Sequence, residues 1–150
     1  MIRLEISNRQ RGVSFDRPFI ARMVQAAYPL CLAACHADTV PLAKLTVIEA
    51  TILSDRRIAR VHREFFDDPS PTDVITFQHG EIVLGAGVIF DNAKRFDRSA
   101  NEEAALCVIH GLLHLAGWDD LTAADAKKMA ARQEQIFKQA RRMIECVLIS

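Results

Sequence analysis

The run H-G-L-L-H-L-A-G-W-D-D, from His110 to Asp120, constrains this chain more than any other segment. Leu106, Ile109, Leu112, Leu113 and Leu115 surround the two histidines with apolar side chains, which predicts a central, buried helix. Imidazoles at i and i+4 then share one face, about 6 Å apart along the axis. Burying both is costly unless each finds a partner, and one metal ion satisfies both at once. Gly117 stops the helix, and Asp119 and Asp120 follow immediately. The pattern offers three convergent ligands to a divalent ion and leaves a coordination position open. The plain alternative, two satisfied core histidines beside an acidic cap, suits a lone histidine better than a spaced pair.

What the motif lacks is equally informative. Zincin peptidases use H-E-x-x-H, where the residue after the first histidine is the general base. Here that residue is Gly111, so hydrolysis has to rely on the acidity of a metal's own water and on groups elsewhere. Cys107 lies one turn before His110 and shares its face. A thiolate ligand is conceivable, but a free cysteine there reads first as a small buried hydrophobe. The four cysteines, Cys31, Cys35, Cys107 and Cys146, show no CxxC spacing, and no disulfide is expected.

With 150 residues, half of them apolar, the chain reads as one domain, 1–150, with a real core. Lys+Arg and Asp+Glu both number 19, so an anionic partner must be met by a local patch rather than by net charge. The longest apolar stretch, A-A-Y-P-L-C-L-A-A-C, is far short of the roughly 20 residues that span a bilayer, so no membrane partner is expected. The N-terminus alternates like a strand and lacks the apolar centre of a signal peptide, so a cytoplasmic location is expected.

Strands are predicted at Ile2 to Ser7 and Leu45 to Leu53, and a hairpin at Val74 to Gln78 and Glu81 to Leu84. Asp16 to Ala34 reads as helix, kinked or broken late by Pro29. Ser54 caps an amphipathic helix with Ile58, Val61 and Phe65 on one side and Arg56, Arg60 and Arg63 on the other. His62 sits beside its apolar stripe. Gly85 and Gly87 read as a loosened stretch before a short helix around Asp91 to Arg95. Ser99 with Glu102 forms a capping box ahead of the histidine helix, and Thr122 with Asp125 repeats the pattern. Ala126, Met129, Ala130, Gln133, Ile136, Phe137, Ala140, Met143, Ile144 and Val147 trace the inner face of a long closing helix. The expected fold is α/β: a mixed sheet of about four strands covered by helices, with the metal motif on a central helix.

The motif resembles that of the YbeY family of metal-dependent endoribonucleases, H-G-x-L-H-L-x-G-Y-D-H. His110, Gly111, Leu113, His114, Leu115, Gly117 and Asp119 match, and Trp118 replaces the tyrosine. P-T-D-V-I-T-F at Pro71 to Phe77 is similar to the family's P-T-D-V-L-S-F, and G-E-I at Gly80 to Ile82 to its G-D-I. Order and approximate spacing are kept from about Leu45 into the C-terminal helix. The resemblance implies a small α/β domain holding zinc, cleavage of single-stranded RNA, and a role in small-subunit ribosomal RNA maturation and ribosome quality control.

Two positions depart from that pattern. Asp120 stands where the family has its third zinc histidine. Zinc accepts two histidines and a carboxylate, and the same set widens the choice to Fe(II) or Mn(II). The expected ligands are therefore His110, His114 and Asp120, with Asp119 behind them or structural. Upstream, the family's L-N-x-x-Y-R corresponds to V-H-R-E-F-F, which puts Phe66 in place of an arginine that acts on substrate and His62 in place of the asparagine. Arg63 lies nearly one turn earlier, and Arg56, Arg60 and Arg63 form a stripe suited to a phosphate backbone or simply to solvent.

Three further sites carry weaker signals. Trp118 either stacks on a base or, as expected, packs at the helix end and shapes the pocket. Thr72 and Asp73 order the loop entering the hairpin or serve the site. His36 reads as a loop residue, and His79 as a loop residue or one lining the cleft. The clusters Lys127, Lys128, Arg132 and Lys138, Arg141, Arg142 are expected to face solvent. The expected activity is metal-dependent hydrolysis of single-stranded RNA. The alternatives are a ribosome-associated RNA-binding factor with a structural metal, kept open by Phe66, a peptidase, disfavoured by Gly111, and a non-haem iron oxygenase, disfavoured by fold analogy.

Overall fold

The computed structural model describes residues 2–149, with side chains through Cys146. Its elements run β1 (Arg3–Asn8), α1 (Arg17–Ala33), α2 (Pro41–Lys44), β2 (Val47–Leu53), α3 (Asp55–Phe66), β3 (Val74–Thr76), β4 (Glu81–Gly85), α4 (Ala86–Arg95), α5 (Ala100–Leu115) and α6 (Ala123–Ile149). They form the α/β architecture expected, around a mixed sheet of order β1-β2-β4-β3. β1, β2 and β4 are parallel, and β3 returns antiparallel to β4 as the predicted hairpin, which leaves β3 at an edge. No helix among the described residues is long and apolar enough to cross a membrane.

Strand alternation divides the side chains between two layers. Leu4, Ile6, Ile48, Ala50, Ile52, Ile82 and Leu84 point into the main core, where α1, α5 and α6 pack. Leu53, Ile75 and Val83 point the other way and, with Ile58 of α3, form a smaller cluster. α5 is as buried as its leucines require: Leu112 and Leu113 are fully enclosed. Its start is fixed by the capping box, with Ser99 Oγ accepting from the Glu102 N–H at 3.0 Å and Glu102 Oε1 from the Ser99 N–H at 2.9 Å.

Several details depart from the sequence-based expectation. α1 runs through Pro29 to Ala33 without a break, because Pro29 lies on its exposed side and only the last turn follows. The helix expected around Asp91 begins at Ala86. Gly87 is no loosening residue: the Asp55 carboxylate at the start of α3 accepts from the Gly87 and Val88 N–H groups at 2.9 and 3.1 Å, capping α4 from another element. A Cβ on Gly87 would meet Asp55 Oδ2 at 2.3 Å. On α6, Ala130 and Met143 are exposed rather than inward, and the side chain of Val147 lies outside the described residues. Arg132 stacks over the Trp118 ring at 5.9 Å and Arg141 pairs with Glu102 and Glu145, so neither faces bare solvent.

Candidate metal centre

Three ligand atoms from the motif converge. His110 Nε2 and His114 Nε2 are 3.1 Å apart, and each is 3.7 Å from Asp120 Oδ2. Two atoms bound at about 2.0–2.1 Å to one tetrahedral zinc stand roughly 3.3–3.4 Å apart, so the three fit a single small cation with minor adjustment. They are the one His/Cys/Asp/Glu group among the described residues with this convergence. Asp120 is exposed and both histidines are partly so, which leaves the fourth direction open to water or substrate.

The opposite ring nitrogens set which atoms the two histidines turn toward this point. His114 Nδ1 donates to the Trp118 carbonyl at 3.0 Å, and that carbonyl can only accept. His110 Nδ1 lies 2.6 Å from Gln133 Oε1 on α6 and donates to it. With both Nδ1 atoms carrying hydrogen, both Nε2 atoms turn lone pairs toward each other. Burial, and then the neighbouring His110, hold His114 below the ordinary imidazole pKa, so a shared proton is a poor remedy for that repulsion. A metal ion held by both Nε2 atoms would remove it.

Helix α5 can bring these rings to the sheet because Gly111 has no side chain. A Cβ there would sit 2.8 Å from Thr76 Oγ1 and 2.9 Å from Ile82 Cδ1. The position that carries the general base in a zincin is thus used for helix–sheet packing. Beside it opens a cavity of about 440 Å³ whose walls include His110, His114, Trp118, Asp119, His62 and Phe66, with β3 along one side.

The other predicted residues divide clearly. Asp119 lines this cavity, and its Oδ1 accepts from the Leu121 N–H at 3.2 Å, ordering the turn that presents Asp120. Trp118 packs at the helix end, its Nε1 donating to the Ala34 carbonyl at 2.8 Å and its ring 4.8 Å from the exposed His36. Cys107 stays a thiol, since burial, then the Asp73 and Glu103 charges, push it well above the usual range. Its Sγ faces Asp73 Oδ2 at 3.9 Å, and Cys107 lines a second cavity with His110 and Asp120 without joining their converging group. Thr72 and Asp73 order the hairpin entry, with the Asp73 carbonyl accepting from Gly85 at 2.8 Å. Arg56, Arg60 and Arg63 are exposed on α3 outside the cavity walls, whereas His62 and Phe66 of the same helix are in them. His79 does not line the cleft: it pairs with Glu81 at 3.3 Å over the opposite sheet face, where the odd-numbered strand residues point.

The family profile described as Endoribonuclease YbeY matches residues 5–141. The chain belongs to that family. Among its relatives, the Endoribonuclease YbeY of Thermosipho melanesiensis is 36% identical over 105 residues, covering 65% of this chain and 76% of that protein. The Endoribonuclease YbeY of Chlamydia felis is 32% identical over 151 residues, covering 89% and 88%. The solution structure of TM1509 from Thermotoga maritima superposes with a TM-score of 0.64 at 21% identity, over 95% of this chain and 92% of that one, and shows the shared fold.

Gln133 is the side chain at the candidate site that the sequence did not assign to it. It stands among the inward-facing apolar positions of α6, and a polar residue in that stripe was the available signal. Nothing local ties it to a histidine 23 residues earlier. The free edge of β3 was equally hidden, because strand order decides which backbone groups stay unpaired.

Proposed function

We propose that this chain is a metal-dependent endoribonuclease that cuts single-stranded RNA, acting in small-subunit ribosomal RNA maturation and ribosome quality control. The observation that carries the reading is the convergence of two histidine Nε2 atoms and the Asp120 carboxylate beside an open cavity, in a chain of a family named for endoribonucleases. Zinc suits the donor set best, and two histidines with one carboxylate also admit Fe(II) or Mn(II). Such an ion, when bound, supplies positive charge to the phosphodiester and makes its water more acidic.

The protein's own residues then have distinct tasks. His110, His114 and Asp120 hold the ion. Gln133 and the Trp118 carbonyl fix both rings in the tautomer that ligates, which raises their basicity and sets their orientation. The Asp120 charge lowers the net positive charge of the site compared with three imidazoles, so the bound water is less acidic than in an all-histidine site. Arg56, Arg60 and Arg63, exposed on α3, are suited to phosphates of a strand entering the cavity, and the ribosomal small subunit is the expected setting.

The test is single-turnover cleavage of a ribosomal RNA precursor by the wild-type chain and by His114→Ala. Wild-type cutting that a chelator stops and the substitution abolishes supports the proposal. Binding without cutting in both proteins favours an RNA-binding factor with a structural metal, the reading that Phe66 in place of arginine supports. Chelator-sensitive cleavage of casein with RNA left intact points to a peptidase.

A further inference from the structure

Phe66 closes α3 with 54% of its surface exposed, yet it walls the same cavity as His110 and His114. With the neighbouring Phe65, 61% exposed, it forms an exposed apolar patch of the kind that marks an interaction site. The rings of His62 at 5.9 Å and Phe77 at 6.3 Å hold it in place. Phe65, exposed as well, packs edge-on to Phe77 at 5.2 Å. On the outer face of this helix Arg60 and Arg63 enter none of the ion pairs among the described residues.

The second component is the free edge of β3. The Phe77 N–H donates to the Glu81 carbonyl and the Gly85 N–H to the Asp73 carbonyl, both at 2.8 Å, with Ile75 opposite Val83 between them. Odd-numbered residues therefore spend their main-chain groups on β4. Val74 and Thr76 turn theirs away from the sheet, and both residues line the cavity. Each offers an adjacent N–H donor and C=O acceptor from one extended residue, the pairing that a base edge presents in return.

We propose that this cavity is a subsite for one unpaired nucleobase, stacked on Phe66 and read at its edge by the main chain of Val74 and Thr76. It rests on the nuclease reading above and adds a cause for single-strand preference. A paired base has its Watson–Crick edge occupied and its faces covered, so it cannot take up this site. An extended peptide can also add to a free strand edge. The exposed ring together with unpaired arginines favours a strand whose every residue carries a flat ring and a negative charge.

The experiment measures binding of the full chain to a short labelled single-stranded RNA, with a chelator present so that the strand is bound and not cut. Phe66→Ala is expected to weaken binding about 5- to 150-fold, the range that base–aromatic stacking covers. Phe66→Trp retains it, and a duplex of the same sequence binds weakly and equally to all three proteins. Moving one abasic nucleotide along the strand finds a single position where binding falls as far, and on that strand Phe66→Ala has no further effect. Unchanged affinity in Phe66→Ala, or an equal loss on abasic and intact strands, overturns the subsite. If the wild type cuts single-stranded RNA while Phe66→Ala binds normally, the subsite falls and the nuclease reading stands. If the wild type binds no RNA and takes an extended peptide instead, both fall.

Discussion

On one face of the sheet Ile48, Ala50, Ile52, Ile82 and Leu84 vanish beneath α1, α5 and α6; on the other, Glu5, Glu49 and Glu81 stand side by side. The register puts these three carboxylates directly opposite one another across β1, β2 and β4. Like charges in that arrangement repel. Arg3 at 3.3 Å from Glu5 offsets one of them, His79 Nε2 lies within hydrogen-bond distance of Glu81 at 3.3 Å, and Glu49 has no ion pair among the described residues. The same strands thus provide a close-packed platform on one side and a polar surface, partly roofed by α3, on the other. The histidines belong to the packed side. Their geometry is inherited from Gly111 lying against Thr76 and Ile82, whereas the other face buries only the small cluster of Leu53, Ile58, Ile75 and Val83. Mutational sensitivity should be lopsided in the same way.

The largest effect is expected at Ile82, fully buried on the packed face beneath Gly111. Ile82→Ala should cost about 2–5 kcal/mol in urea unfolding. A loss under about 1 kcal/mol would mean that the platform is not what positions α5. Gly111→Ala adds one methyl to the same contact and should cost about 1–3 kcal/mol, because Thr76 or Ile82 must shift. It should also weaken metal binding by moving the histidines relative to β3, and intact affinity measured by chelator competition would separate packing from the site. On the open face, Glu49→Gln should stabilise the protein by about 0.2–1 kcal/mol at low salt by relieving the carboxylate row. The gain should shrink in high salt as the repulsion is screened. Destabilisation instead would reveal a favourable partner for Glu49.

The sequence showed the site more fully than the way it is supported. His110, His114 and Asp120 were legible because helical spacing and a glycine stop are local facts, and the capping box at Ser99 and Glu102 is local too. What escaped was long-range. Asp55 reads as an acid in the first turn of its own helix, yet it caps α4, and Gly87 is small for that reason. Gln133 meets His110 because α6 folds back over α5. His79 follows a motif strand closely enough to suggest the cleft, but its position in the turn leads over the other face, beside Glu81. Phe66 reads as a lost arginine in sequence, and only the cavity shows the ring lining the same walls as His110 and His114.

The metal content of the purified chain, by elemental analysis of the wild type and of Asp120→Ala, bears most directly on the centre. One divalent ion per wild-type chain and a sharp fall in the variant are expected, since Asp120 closes the triad at 3.7 Å from both Nε2 atoms. Equal stoichiometry in the two proteins would contradict the assignment of Asp120 as the third ligand.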